Sequence, residues 1–256
     1  MTHYNPTSLN IKIVIPGYNC SQWIHKGIKS IKEQTFTNFK CIIIDDASTD
    51  NTFEVAKEAI DEDDRFQLIR NTENVGALAN IYNGIKLISN SDEDIIVTLD
   101  GDDWFYDAIV LETVNATYTT NNCLITYGCF IEHPSGIIHP YYLTPYEDNI
   151  LENNLVRDVP WKASALRTFK KKLWDCIQLE DLINPKTGKF YTVTWDLAFM
   201  FPMMEMAGDR SNHIPQLLYV YNKENPISDM YIRKDAQLGT EDDIRRKPKY
   251  ARRHFE

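Results

Sequence analysis

The sequence predicts an α/β protein with a mostly parallel, doubly wound sheet and helices on both faces. Three observations carry this. Short β-rich runs alternate four times with stretches of helical spacing between residues 11 and 118. One run, FKCIIIDD (39–46), is nearly continuous in apolar residues, as parallel strands buried on both faces are. Polar clusters follow the first, second and fourth runs: PGYN (16–19), DDASTDNT (45–52) and DGDD (100–103). In an open parallel sheet, ligands bind beyond those carboxyl ends of strands.

The elements follow in order. IKIVIP (11–16) is β-rich and stops at Pro16. CSQWIHKGIKSIKEQ (20–34) has apolar residues at 24, 28 and 31, a helical spacing, with Ser21 as a candidate cap. After the second strand, DNTFEVAKEAI (50–60) reads as a helix capped by Asp50 or Asn51. RFQLIR (65–70), GALANIYNGIKLI (76–88), DIIVTLD (94–100) and AIVLETVNATY (108–118) continue as strand, helix, strand and helix. The alternation then breaks. NCLITYGCFIE (122–132) reads as a strand, and the Pro- and Tyr-rich HPSGIIHPYYLTPYED as loop. SALRTFKKKLWDCI (164–177) has the spacing of an amphipathic helix. VTWDLAFMFPMMEMA (193–207) reads as a helix kinked near Pro202, and IPQLLYVYN (214–222) as a strand.

Composition narrows the function. With 256 residues there is room for one large α/β domain or a domain and a half. A net charge of −10 argues against general nucleic-acid binding. The five cysteines have no paired spacing, so reduced thiols in a cytoplasmic protein are expected. The opening MTHYNPTSLN is polar and does not read as a secretory signal, and the Asn115-Ala116-Thr117 sequon reads as chance. No apolar run approaches the ~20 residues of a membrane helix. The basic stretch RRKPKYARRH (245–254) reads as a solvated end able at most to touch an anionic membrane.

VTLDGDDWF (97–105) sets Asp100, Asp102 and Asp103 within four positions behind an apolar run. Three mutually repelling acids at the end of a buried strand call for a counter-ion. Carboxylates on such a rim suit Mg²⁺ or Mn²⁺, which also takes substrate phosphate oxygens. His25, His133, His139 and His213 lack zinc-site spacing, and neither GxxxxGK[ST] nor GxGxxG is present. Phosphates are therefore expected to be held through the metal.

IKIVIPGYN, SIKEQTFTNFKCIIIDDASTDNT, NVGALANIYNGI and VTLDGDDW, in this order and spacing, resemble the successive signatures of glycosyltransferase family 2, with the GT-A fold. The likeness is dense over 11–105 and looser through TWDLAFMFPMMEMAG and LYVYNKENPIS. It implies a metal-dependent, inverting transfer of a sugar from a nucleotide-sugar, by the family's habit a UDP-sugar, to an acceptor hydroxyl on a glycan, protein or lipid-linked molecule. It implies that Pro16, Tyr18 and Asn19 line the base and ribose pocket and that Asp46 accepts from uracil, with Asp45 structural. Asn74 and Gly76 match the turn before the third helix. Asp100-Gly101-Asp102 is the DxD element, with Asp102 the metal ligand, Asp100 helping from the ribose side or at the metal, and Asp103 a possible third acid. Asp196 matches the catalytic base, although Trp195 stands where the family commonly has Glu.

Blander readings stand beside these. Asp46, Asp50 and Asp196 could be helix caps, and Trp161 and Lys162 read as packing residues before acceptor contacts. Glu205 and Glu180 are the next carboxylates to consider as base. A nucleotidyltransferase on a related sheet is an alternative, but PGYNCSQW lacks that chemistry's Gly-rich basic loop; a catalytically inactive nucleotide-binding module is another. The expected organisation is a nucleotide-sugar half (1–122), an acceptor-side catalytic half of the same domain (123–228) and a charged tail (229–256).

Overall fold

The computed structural model describes residues 9–227 and 234–255. Residues 1–8 of the polar opening, 228–233 at the start of the expected tail, and 256 lie outside the described residues. The first half runs β1 (Ile11–Gly17), α1 (Ile24–Lys32), β2 (Phe39–Asp45), α2 (Thr52–Ile60), β3 (Phe66–Arg70), α3 (Ala77–Ile88) and β4 (Ile95–Thr98). Then come β5 (Trp104–Phe105), α4 (Val110–Asn121) and β6 (Ile125–His133). After a 3-10 turn at Pro140–Leu143 follow α5 (Asp148–Glu152), β7 (Arg167–Lys170), α6 (Lys171–Trp174) and α7 (Leu179–Leu182). The hairpin β8 (Ile183–Asn184) and β9 (Lys189–Phe190) leads to α8 (Trp195–Ala207), β10 (Ser211–Asn222) and α9 (Lys234–Arg245).

The main sheet has the order β3-β2-β1-β4-β7-β6-β10-β5. β3, β2, β1 and β4 are parallel neighbours, and β6 runs parallel to β10. β7 is antiparallel to both β4 and β6, and β5 is antiparallel to β10. Strand alternation sorts the core onto two faces. Ile13, Ile15, Cys41 and Ile43 pack with Ile24, Ile28 and Ile31 of α1 and Val110 and Val114 of α4. Val14, Ile42 and Ile44 pack with Leu78, Ile81 and Ile85 of α3, in the cluster that also holds α8. Gly84 lets α3 approach, since a Cβ there would lie 2.7 Å from Val14 Cγ1.

Two expectations are corrected. The helix expected over 164–177 is a strand followed by a single turn. Leu166, Phe169 and Leu173 mimic helical spacing, but Leu166 and Phe169 pack in different core clusters, as alternate strand faces require. The basic stretch is only in part a solvated end: Arg246, Arg253 and His254 are exposed, but others are held by the fold. Tyr250 N–H donates to Glu205 at 2.9 Å, Lys247 Nζ donates to the Asp181 carbonyl at 2.9 Å, and Arg252 Nη2 donates to the Leu151 carbonyl at 2.7 Å. Among the described residues no helix is long and apolar enough to cross a membrane, and the five cysteines are unpaired.

Candidate active site

The carboxyl ends of β1 and β4, with β7, β10 and the start of α8, enclose a cavity of about 590 Å³. Pro16, Tyr18, Asp100, Asp102 and Asp196 all reach it, so the structure brings these expected residues together. Gly101 explains how the DxD turn sits so close. A Cβ on it would meet Gly17 Cα and the Pro16 carbonyl oxygen, both at 2.9 Å, so only glycine lets β4 and β1 end side by side.

The three acids have different surroundings. Asp103 is 1% exposed: it accepts from the Tyr219 hydroxyl at 2.5 Å and from Asn222 N–H at 2.7 Å. It pins the turn to β10, and burial, then the charges of Asp102 and Asp100, push its carboxyl well above the usual carboxylate range. Asp100 Oδ2 lies 3.4 Å from Arg167 Nη2 and 3.3 Å from the Tyr219 hydroxyl. Asp102, half-buried on the cavity wall, accepts from Asn225 Nδ2 at 2.8 Å. Asp103's oxygens being committed to β10, Asp102 and Asp100 are the acids placed for a ligand.

Arg167 is the residue of the candidate site that sequence reasoning missed. In β7 it sits opposite Thr98 of β4, two positions before Asp100. Its side chain is 7% exposed, Nη1 lies 3.7 Å from Asp196 Oδ2, and the guanidinium lies 5.3 Å from the Trp195 ring centroid. Much of the counter-charge that the acidic cluster calls for is therefore built into the chain. The signal was one arginine in a stretch whose spacing mimicked a helix.

Asp196 stands in the first turn of α8, with its side chain 23% exposed. Partial burial raises its carboxyl pKa, and Arg167 opposes this. Thr194, just before it, has a left-handed backbone (φ +52°), an outlier for a β-branched residue. Such strain clusters at functional sites. Glu205 is a poor alternative base, being 1% exposed with Arg157 Nε at 2.6 Å; Glu180 is exposed and off the cavity.

The remaining expected residues, Asn19, Asp46, Asn74 and Gly76, do not line the cavity. Asp46, 3% exposed, accepts from Asn71 Nδ2 (2.8 Å), Val75 N–H (3.0 Å) and Gly76 N–H (2.8 Å). Asn74 Nδ2 donates to the Asp46 carbonyl at 3.2 Å. This knot fixes the turn before α3, whose first residue, Ala77, is on the cavity wall. Asn19 turns the same way: its Oδ1 accepts from Thr49 N–H at 2.8 Å, and its N–H donates to Ser48. Asp45 pairs with Arg70 at 3.1 Å, the structural role expected of it. Asp50 accepts from Thr52 N–H at 2.9 Å at the start of α2, as a capping acid does.

No group of three or more His, Cys, Asp or Glu side chains among the described residues could hold a metal ion unaided. The donor set still suits a hard cation. Mg²⁺ commonly takes one or two carboxylates plus substrate phosphates, and Asp102 with Asp100 on a cavity wall matches that pattern.

Residues 12–188 match the sequence profile described as Glycosyl transferase family 2. The chain belongs to glycosyltransferase family 2. An uncharacterized glycosyltransferase of Haemophilus influenzae is 31% identical over 118 residues, 46% of each chain. Glycosyltransferase GlyA of Streptococcus pneumoniae is 27% identical over 67% of this chain and 25% of its own length. The chain thus spans less than half the length of these family 2 relatives. Among solved structures, Staphylococcus aureus TarS 1–349 superposes with a TM-score of 0.65 at 15% identity, covering 84% of this chain and 60% of that one. The mannosyltransferase PcManGT of Pyrobaculum calidifontis, solved with GDP-Man and Mn²⁺, gives 0.63 at 18% identity over 96% of this chain and 67% of its own. The expected GT-A fold is therefore the observed one.

Proposed function

We propose that the protein is an inverting, metal-dependent glycosyltransferase that moves a sugar from a nucleotide-sugar to an acceptor hydroxyl. The observation that carries this is Asp196 and Asp102 on the wall of one cavity that also takes Pro16 and Tyr18 from the β1 turn. Tyr18 and Pro16 offer a face for base and ribose, and Asp46 holds the 71–76 turn beside them, its contact with uracil being part of the proposal. Asp102, with Asp100, would hold Mn²⁺ or Mg²⁺ together with the donor's phosphate oxygens. When bound, the ion supplies positive charge against the departing diphosphate. Asp196 takes the proton of the acceptor hydroxyl, that oxygen bonds to the sugar's anomeric carbon, and the bond from that carbon to the diphosphate breaks with its electron pair leaving on the nucleotide. One displacement inverts the anomeric centre. Arg167 opposes the effect of burial on Asp196 and holds it in place.

A UDP-sugar is the donor we favour, in line with TarS, which has been solved with UDP and with UDP-GlcNAc. The five unpaired thiols support a reducing, cytoplasmic setting. The test is a melting-temperature panel of UDP, GDP, CMP and dTDP with and without Mn²⁺. A ligand that binds only the folded state stabilises it by about 2.7 kcal/mol at 100 times its Kd. UDP with Mn²⁺ should give the largest shift. A larger shift with GDP reassigns the base, and shifts indifferent to metal overturn the role of Asp102.

A further inference from the structure

Part of the cavity is not used by the donor reading. Alongside Asp196 it is walled by half-buried aromatic rings. The Phe130 centroid lies 5.2 Å from that of Tyr142 and 5.5 Å from that of Tyr221, so the three rings form one continuous surface. Trp161 reaches the same cavity and packs edge-on against Phe201 at 5.0 Å. Phe201 in turn lies 5.3 Å from the Arg157 guanidinium and 5.0 Å from that of Arg245. Arg245 Nη1 also donates to the carbonyls of Arg157 (2.6 Å) and Val159 (3.0 Å), clamping the backbone that leads to Trp161. Trp161 is thus the packing residue expected and a fixed wall of the cavity at once.

The charge of the wall is one-sided. Among the described residues lining the cavity, Asp100, Asp102 and Asp196 face a single lining cation, Arg167, while Asp103 is turned to β10 and Glu241 pairs with Arg245 at 2.7 Å. That cation is already shared between Asp100 and Asp196.

We propose that the Phe130, Tyr142, Trp161 and Tyr221 surface is the acceptor subsite and that the acceptor it takes is an uncharged saccharide. The proposal rests on the glycosyl-transfer reading and adds the acceptor's chemistry to it. Pyranose rings present apolar C–H faces that stack on aromatic rings and hydroxyl edges that reach a carboxylate such as Asp196. Rigid aromatic walls make such contacts at low entropic cost. A phosphorylated or carboxylated acceptor would bring negative charge among carboxylates with no spare cation among the described residues of the wall, which the Coulomb term disfavours most where water is excluded. A lone serine or threonine hydroxyl of a protein has too little apolar surface to cover these rings.

The test is direct binding by saturation-transfer NMR, without nucleotide, on the full chain. The probes are maltose, cellobiose, lactose and chitobiose, set against glucose 6-phosphate, a glucuronic-acid disaccharide and a serine-rich peptide. At least one neutral disaccharide should bind at least tenfold more tightly than the anionic sugars and the peptide. Tyr142→Ala and Trp161→Ala should each weaken it tenfold or more while Mn²⁺-dependent UDP binding stays unchanged. Trp161→Ala could loosen the fold, so Tyr142→Ala, whose ring is half exposed, is the deciding variant, with melting temperature measured alongside. Anionic sugars or the peptide binding as well as the neutral ones, no neutral disaccharide binding, or Tyr142→Ala binding like the native chain would each overturn the proposal. Failure here with intact UDP binding leaves the donor reading standing. Saccharide binding with no nucleotide binding sinks the donor reading instead.

Discussion

Arg167 Nη1 lies 3.7 Å from Asp196 Oδ2, and Nη2 of the same guanidinium lies 3.4 Å from Asp100 Oδ2. One buried cation therefore joins the acid proposed as the base to the first acid of the DxD turn. Burial alone would leave Asp196 protonated over more of the pH range, and Arg167 pulls it back toward the ionised form.

Arg167→Gln removes that pull. The Asp196 pKa then rises further, and a base works only when ionised. The acid limb of the kcat/KM profile should move to higher pH, with the loss worst on the acid side and smaller above neutrality. Freed from its partner, Asp196 can also shift, and a misplaced group costs on the order of 10²-fold in rate. A profile that superimposes on the native one would show that Arg167 does not tune Asp196.

Asp196→Asn should keep the fold and Mn²⁺-dependent UDP binding and lower transfer by roughly 10²–10⁴-fold, the range for loss of a general base. If the acid only favours the start of α8, the change costs about 0.3–1 kcal/mol and little rate. Measuring transfer, UDP affinity and melting together separates the two. Near-normal transfer would remove Asp196 from the mechanism.

How far this site could be read from the chain depended on how local each signal was. Pro16, Tyr18, Asp100 and Asp102 were legible because each lies at or just beyond the end of a strand whose apolar run is unmistakable, so topology alone carries them to one rim. Asp46 was expected to face uracil or to cap a helix; its hydrogen bonds run inward to Val75 and Gly76, which sequence spacing could not reveal. Arg167 was not legible. Its place depends on β7 inserting antiparallel between β4 and β6, a pairing between segments more than 40 residues apart, while local spacing favoured a helix. The tail was misread for a similar reason: a run of basic residues looks solvated until the carboxylates and carbonyls that receive it are in place.

Asp102→Asn should melt near the native temperature and lose the Mn²⁺-dependent part of the UDP shift. Asp102 is on the cavity wall and not in the hydrophobic core, so neutralising it also relieves repulsion with Asp100 and Asp103. Calorimetry with UDP, with and without Mn²⁺, reads this directly. An unchanged metal-dependent affinity would place the ion elsewhere.

Gly101→Ala forces a methyl against Gly17 Cα and the Pro16 carbonyl oxygen at 2.9 Å and against Cys20 Sγ at 3.0 Å. Two of these neighbours are backbone and cannot swing aside. The expected cost is about 1–3 kcal/mol of stability, as for other overpacked sites, with weaker UDP binding because the DxD turn is pushed off the β1 end. Denaturant melts and UDP titration check both. A variant as stable as the native chain would show that the two strand ends can part.

The buried pair Arg157–Glu205 allows a sharper separation. Arg157 Nε and Nη2 meet the two Glu205 oxygens at 2.6 and 3.0 Å, Arg157 Nη1 donates to the Ile244 carbonyl at 2.6 Å, and Tyr250 N–H donates to Glu205 Oε2 at 2.9 Å. The pair thus ties α8 to the end of α9 and to the tail. Glu205→Ala leaves a buried guanidinium without its carboxylate and should cost about 3–5 kcal/mol. The double change Arg157→Met with Glu205→Leu removes both charges and should recover most of that loss, since buried pairs are often replaceable by apolar side chains. It cannot replace the bonds to Ile244 and Tyr250. The double variant should therefore melt near the native temperature yet be cut faster by trypsin at Lys247, Lys249 or Arg252. Native-like resistance would mean that Lys247, Lys249 and Arg252 hold the tail by themselves through their own contacts with Asp181, Asp158 and Leu151.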